Sequence, residues 1–467
     1  MAQVDHAANT EQTPNGASFL HRSFEKLHAL VGEDEEAREG AFAALKVLII
    51  RCAGAALAYA TQVLLARLLG QTEYGIFALV WVWILVLGHL TPMGFAQAVC
   101  RFAPHYHARN EQNLLRGFLQ TGAMIVAFLS SATALIGGAS LWFAAPLFDN
   151  VYVLPFALAL IAFPLFAMQD YVENVARAFN WTILAIAPPF LIRNSLIAAG
   201  LLAAYFWQVP MSAGLAVGIT IGAVLTALLI QTGLVWGRLA KHLPRGPIER
   251  DMRGWVKTAL PLIFVDGTMV LLSNADILIL SLFVEPATIA IYFAASRILQ
   301  LVGFVQYAAT VATAQRFTAL NALNDRPALS ALASTTTRLT LVVSASAALS
   351  IYLIAPYLLA LFGDGFEAAL PVLGVLMLGL ILQAAAGPGE DLLNMLGHER
   401  SCAAAFVASL IVNITLNFAL IPLFGLMGAA VATTISVGLR SFTLTWLVHH
   451  RLGLRIFFSL RSREVTP

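Results

Sequence analysis

The sequence predicts an all-α polytopic membrane protein of about twelve transmembrane helices in two six-helix halves. Three observations predict it. Of the 467 residues, 59% are hydrophobic and only 11% charged, against about 25% charged residues in a soluble domain, and mean hydropathy is +0.81. The apolar residues gather into twelve long runs, and the connections between them alternate between short uncharged links and basic ones.

The runs fall near 42–69, 74–100, 118–147, 151–176, 182–206, 211–236, 256–283, 287–315, 329–361, 367–396, 401–422 and 425–448. Each reaches the roughly 20 residues that cross a hydrocarbon core. Lipid offers no partner to a backbone N–H or C=O, so only helices or closed barrels span it. None of the runs alternates with period two, which leaves helices.

Loop charge orients the helices. One set of connections holds no Lys or Arg: Gln71-Thr72-Glu73, Phe148-Asp149-Asn150, 207–210, 284–287, 362–367 and 422–425. The alternate set is basic. It holds Arg101, Arg109 and Arg116, then Arg238, Lys241, Arg245, Arg250, Arg253 and Lys257, then Arg316, Arg326 and Arg400, and in the tail Arg451, Arg455, Arg461 and Arg463. By the positive-inside rule this set and both termini face the cytoplasm, as expected of an inner-membrane protein. Trp142, Trp207, Trp236, Trp255 and Trp446 sit near run ends, as an aromatic belt requires.

The expected organisation is a cytoplasmic N-terminal segment (1–41), a six-helix lobe (42–236), a cytoplasmic linker (237–256), a second six-helix lobe (257–448) and a cytoplasmic tail (449–467). The first segment is polar, carries Glu33-Asp34-Glu35-Glu36 and lacks the apolar core of a signal peptide. Its residues 19–31 suit either an amphipathic surface helix or a free tail. A shift of 215 residues superimposes the halves. Arg101-Phe102 falls on Arg316-Phe317, Leu64-Leu65 on Ile279-Leu280, and Ile76-Phe77 on Ile291-Tyr292. Two halves of like orientation imply a parallel repeat about the membrane normal, with the substrate site between them.

Ionisable residues deep in a span are costly and face a cavity or a partner. At about 1.5 Å of rise per residue, Arg193 and Arg297 fall near the midplane, and Arg51 and Asp266 about a dozen ångströms from the cytoplasmic side. Asp276 lies toward the outer end of the seventh run. The 215-residue shift places Arg51 on Asp266, which suggests a pair across the central cleft; pairing within each half is the alternative. Arg51, Arg297 and Arg193 are candidates to bind an anionic ligand, since a guanidinium keeps its charge and offers a fork of donors. For Arg297 the competing reading is a packing ion pair with Asp276. Asp266 and Asp276 are candidates for gating or ion coupling. Asp170, Glu173, Glu390 and Asp391, near the cytoplasmic run ends, read as interfacial charges with access to water. Prolines at 92 and 261 could hinge a gate or simply fix a bend.

No catalytic residue, metal site or cofactor is expected. The chain lacks a phosphate loop, a dinucleotide fingerprint, zinc spacing and a nucleophile elbow. Cys52, Cys100 and Cys402 read as small buried hydrophobes, and His105 with His107 as members of a solvated basic loop. Nothing points to nucleic acid, and no segment can form a nucleotide-hydrolysing domain.

Three stretches carry a resemblance. They are Leu64-Leu65-Ala66-Arg67-Leu68-Leu69-Gly70 with Glu73-Tyr74-Gly75-Ile76-Phe77; Asp276-Ile277-Leu278-Ile279-Leu280 with Ile291-Tyr292-Phe293-Ala294-Ala295; and Asn413-Ile414-Thr415-Leu416-Asn417 with the run from Ile421-Pro422 to Ala432-Thr433. Together they resemble the bacterial polysaccharide flippase family (O-antigen and exopolysaccharide assembly) of the multidrug/oligosaccharidyl-lipid/polysaccharide exporter superfamily. The resemblance implies two six-helix lobes forming a V-shaped cleft, lined by helices 1, 2, 7 and 8. It implies translocation of undecaprenyl-pyrophosphate-linked oligosaccharide units by alternating access. The expected partners are that lipid-linked oligosaccharide, the membrane, and polymerase and chain-length proteins. The related lipid II flippases usually have fourteen helices. The main alternative is a cation-coupled multidrug exporter of the same superfamily, which the cavity arginines disfavour. A membrane polysaccharide polymerase or ligase ranks lower, because it would need a large outward loop.

Overall fold

A computed structural model describes residues 35–144, 146, 150–244, 246–323, 325–454 and 456. The expectations for residues 1–34 and for Arg455, Arg461 and Arg463 lie outside these. Among the described residues the regular structure is all helix, in chain order α1 (Glu35–Leu90), α2 (Phe95–Ala108), α3 (Gln112–Ala144), α4 (Asn150–Ala178), α5 (Thr182–Phe206), α6 (Ala213–His242), α7 (Met252–Leu272), α8 (Ala275–Leu280), α9 (Pro286–Ala322), α10 (Arg326–Ala360), α11 (Leu370–Ala386), α12 (Gly389–Met395), α13 (Glu399–Phe424) and α14 (Leu426–Leu452).

Among the described residues, eleven helices are long and apolar enough to cross a membrane. The first of them, Ile49–Leu90, breaks at Gly70 (φ 77°, ψ 171°). Only glycine takes that backbone without strain, so the run supplies two crossings and the total is the expected twelve. The second crossing breaks again at 91–94, where Pro92 precedes Gly94 (φ 77°). A proline ring cannot continue the hydrogen-bond ladder, which leaves α2 as a separate helix. α5 carries a π-helical turn at Pro188–Ile192 for the same reason. The seventh run breaks at Ser273 and Asn274, and the tenth at Gly387 (φ 84°) with Pro388.

The chain divides into two compact units, 1–52 and 53–467. In the first, the described residues form the beginning of α1. In the second, α2 to α6 pack as neighbours (α2 on α3 and α4, α6 on α4 and α5), and among the rest α9 packs on α10, α10 on α11, and α14 on α11 and α13. The packing is apolar and close. Tyr74, Tyr171, Tyr292, Phe293 and Trp255 are wholly buried. Trp142, Trp207 and Trp446 expose most of their surface, as lipid-facing rings would. Trp255 departs from the belt expected for it. Its indole is buried and donates to Tyr106 Oη at 2.9 Å. A buried N–H must find an acceptor, and here that acceptor fixes α7 against α2.

The connection after α6 is shorter than read from sequence, because α6 runs on to His242 and α7 begins at Met252. Arg116 on α3 holds this segment, donating to the carbonyls of Pro244 and Pro247 at 2.8 Å each. Asp251 then caps α7 by accepting from Gly254 N at 3.0 Å.

Candidate functional site

The two sets of helices meet at both ends of the bundle. At the end with short uncharged connections, Gly75 lies against the Pro286 carbonyl, where an added Cβ would sit 1.8 Å from the oxygen. Around it Tyr74 packs on Phe293, Phe362 and Phe366 with centroids 5.9–6.3 Å apart. Arg67 donates from Nε to Leu361 O at 2.7 Å and from a terminal nitrogen to Ala360 O at 2.6 Å. Gln71 donates to Asp364 O at 2.8 Å. At the basic-loop end, Gly94 lies against the Ala259 carbonyl and Gln97 Nε2 donates to Asp266 Oδ2 at 2.8 Å.

Arg297 lies one turn along α9 from Phe293, with its guanidinium 4.1 Å from that ring's centroid. One terminal nitrogen donates to Gln300 Oε1 at 3.2 Å, and Nε is buried without a partner. Among the described residues no carboxylate lies within 4.0 Å of it. The packing pair with Asp276 is therefore absent. Asp276 is buried on α8, where it accepts from Tyr292 Oη and from Ile277 N. Phe293 holds the arginine's charge by a cation–π contact, a weak clamp that leaves donors for a ligand.

Arg193, on α5, lies 5.5 Å from the Trp81 centroid and 5.6 Å from that of Phe166. It donates to Gln169 Oε1 at 3.4 Å and has an unpartnered buried Nε. Arg51 is half-buried on α1 in the first unit. Asp266 belongs to the second unit, and its hydrogen bond comes from Gln97, a residue the sequence did not single out.

Close to Asp276 the helices carry a buried polar ladder. Asn413 Nδ2 donates to Thr433 Oγ1 at 3.5 Å, and Asn417 Nδ2 to Asn413 O at 2.9 Å, while Asn417 Oδ1 is buried without a donor. These asparagines belong to the third family-like stretch, where side-chain periodicity hid their inward face. A separate polar cavity of about 190 Å³ lies among Gln306, Thr336, Gln383, Glu390, Asp391 and Arg440. Of the carboxylates read as water-accessible, Asp170 departs from expectation, with its Oδ2 buried and without a partner. His105 and His107 are exposed on the last turn of α2 rather than in a loop. No cluster of three or more metal-binding side chains occurs among the described residues.

Apolar spanning helices with arginines held inside by aromatic rings, and contacts between the two sets of helices at both ends, define a polytopic membrane protein with charge in its interior. The chain matches the family described as polysaccharide biosynthesis protein over residues 44–314, more than half its length, and it belongs to that family. Its fold is shared with solved membrane proteins of low sequence identity. An inward-facing multidrug resistance MATE family transporter aligns with TM-score 0.70 at 13% identity, covering 87% of this chain and 98% of that one. The lipid II flippase MurJ, in an inward closed conformation, aligns with TM-score 0.60 at 14% identity, covering 86% and 87%. A MOP superfamily transporter from Pyrococcus furiosus aligns with TM-score 0.61 at 13% identity, covering 87% and 94%. A 73-residue stretch is 38% identical to the multidrug resistance protein NorM of Burkholderia vietnamiensis, spanning 14% of this chain and 16% of that protein.

Proposed function

We propose that the protein is a flippase that moves undecaprenyl-pyrophosphate-linked oligosaccharide units across the bacterial inner membrane by alternating access, for surface or exopolysaccharide assembly. The observation that carries this reading is Arg297, a half-buried guanidinium stacked on Phe293 with its Nε buried and unpartnered and, among the described residues, no carboxylate within 4.0 Å. Such a group repels a cationic drug and attracts a pyrophosphate. Arg193, stacked beside Trp81 and Phe166 on α5, is assigned to the same anionic ligand, and so is Arg51 on the strength of its place in the sequence. Closure at the two ends in turn is what exposes such a site first to one leaflet and then to the other, while the polyprenyl tail stays in lipid.

Asp276 is assigned to ion coupling. It is buried on α8, which packs on α13 with its Asn413–Asn417 ladder, and an ion binding there would bias that packing. Asp266, at the basic-loop closure, is assigned to gating. Both termini and the basic connections face the cytoplasm in this reading, in which 42–236 and 257–448 act as the two moving lobes. Polymerase and chain-length proteins would take the product on the outer side.

The test is deletion of the gene in its host. Undecaprenyl-linked glycan units should accumulate on the inner leaflet while surface polymer falls. Unchanged surface glycan with raised drug sensitivity would instead make the protein a multidrug exporter.

A further inference from the structure

The connection between α4 and α5, at the basic-loop end, turns on Asn180, whose backbone is left-handed (φ 58°). Asparagine is one of the few residues besides glycine that visit this conformation readily. The turn sets Phe179 and Trp181 side by side, their rings stacked with centroids 5.2 Å apart. Just inside α5, the carbonyl of Leu184 accepts from the buried amide of Gln231 at 3.1 Å, which pins α6 to the first turn of α5. About two and three turns farther along α6, Arg238 and His242 reach the same tryptophan. The guanidinium lies 5.9 Å from the Trp181 centroid and the imidazole 6.0 Å from it. On the other flank His107, on the last turn of α2, meets Phe179 edge-on at 6.0 Å.

The cations here are unspent. Arg116 and Arg177, at the same end, give their donors to the carbonyls of Pro244 and Pro247 and to Glu173. Arg238 and Lys241 are exposed, and among the described residues neither has a carboxylate within 4.0 Å or a side-chain hydrogen bond. Toward the middle of the span the surface changes to hydrocarbon. Ile230 and Leu234 lead up to Arg238 at i, i+4 steps along one flank of α6, and with Ile183 on α5 they are exposed. An exposed apolar strip, then a tryptophan, then unpaired cations is the order of the lipid boundary itself: acyl chain, interface, headgroup. A soluble anion would meet the cations and leave the strip uncovered.

We propose that this surface, at the basic-loop ends of α4, α5 and α6, binds an anionic phospholipid. Arg238 and Lys241 hold its phosphodiester beside Trp181, and an acyl chain lies along Ile183, Ile230 and Leu234. The ring restrains the guanidinium by a cation–π contact and leaves its fork of donors to the phosphate oxygens. The site needs only a lipid interface at this end, so it holds whatever the protein carries.

The test uses the purified full chain with its three cysteines replaced and a bimane label at Leu234→Cys, an exposed position on the strip. The protein is reconstituted in phosphatidylcholine vesicles that contain either brominated-chain phosphatidylglycerol or brominated-chain phosphatidylcholine, and quenching reads which lipid lies against the label. Phosphatidylglycerol should be preferred about fivefold or more, the selectivity that one or two cations at a lipid surface give. A label at Ile411→Cys, exposed on α13, should show about equal quenching by both lipids. Arg238→Gln together with Lys241→Gln should remove the preference at Leu234, and Arg238→Lys alone should keep most of it. Should the double variant not fold, Lys241→Gln alone should lower the preference by about twofold or more. Equal quenching at Leu234, a preference that survives loss of both cations, or one matched at Ile411 overturns the proposal. So does a preference abolished by inorganic phosphate but not by chloride of the same ionic strength, which assigns the cations to a soluble anion.

Discussion

Arg297 was legible in the sequence because an arginine in the middle of an apolar run has few innocent explanations. Its environment was not, because depth along a helix says nothing about the face a side chain takes. The structure supplies that face: a ring on one side, a neutral amide on the other, and no carboxylate within 4.0 Å among the described residues. A charge so placed leaves its buried Nε donor for a ligand. Arg297→Ala should reduce glycan transport on the order of 30-fold or more at normal expression, about what removing one partner of a desolvated charge pair costs. Arg297→Lys should restore only part, since an ammonium keeps the charge and loses the fork. Full transport by the Ala variant, measured as surface polymer in a deletion strain, would remove Arg297 from the site. The same blindness to rotation explains Asp266. Its hydrogen bond comes from Gln97, a neutral residue that no charge pattern marks.

At the scale of helices, the twelve runs were all legible, since hydropathy alone sets them. Their breaks were only partly so. Pro92 announced a bend, but the loss of helix at 91–94 follows from Pro92 and Gly94 together, and the break at Gly387 lay hidden inside a single apolar run. The family-like stretch Glu73 to Phe77 gains a physical reason at this scale. Gly75 permits a helix to approach the backbone of another, the close packing that small residues give in membranes. A methyl at Gly75 would overlap the Pro286 carbonyl, and the helix would have to move. Gly75→Ala should destabilise the protein by about 1–3 kcal/mol, the usual cost of overpacking. Gly222→Ala, on α6 with open space around it, should be neutral or stabilise by up to about 1 kcal/mol. Thermal unfolding in detergent compares the two. Equal melting temperatures would mean that the contact with Pro286 does not limit stability.

At the scale of the molecule, the two sets of helices touch at both ends, and the two contacts differ in kind. The basic-loop end meets through titratable groups and a buried Trp255–Tyr106 bond, whereas the opposite end meets through aromatic rings and one arginine bonded to carbonyls. The sequence held the ingredients of both, but the pairing of Arg67 with residues 360 and 361 joins positions almost 300 apart, which no local pattern encodes. That pairing should respond to substitution and not to carboxylate titration, because guanidinium and carbonyl keep their charge state throughout the accessible pH range. Ser296, half-buried beside Arg297, reports on it when replaced by cysteine in a protein lacking the native three. A charged maleimide should react slowly with Ser296→Cys in the parent and on the order of tenfold faster once Arg67→Ala removes both bonds, a change of about 1.4 kcal/mol in the closure equilibrium. Arg67→Lys should fall between, since one ammonium cannot span two carbonyls with the same fork. If the rate rises as much in the lysine variant as in the alanine one, the paired geometry matters more than the charge; if it rises in neither, the aromatic cluster around Tyr74 holds that end closed alone.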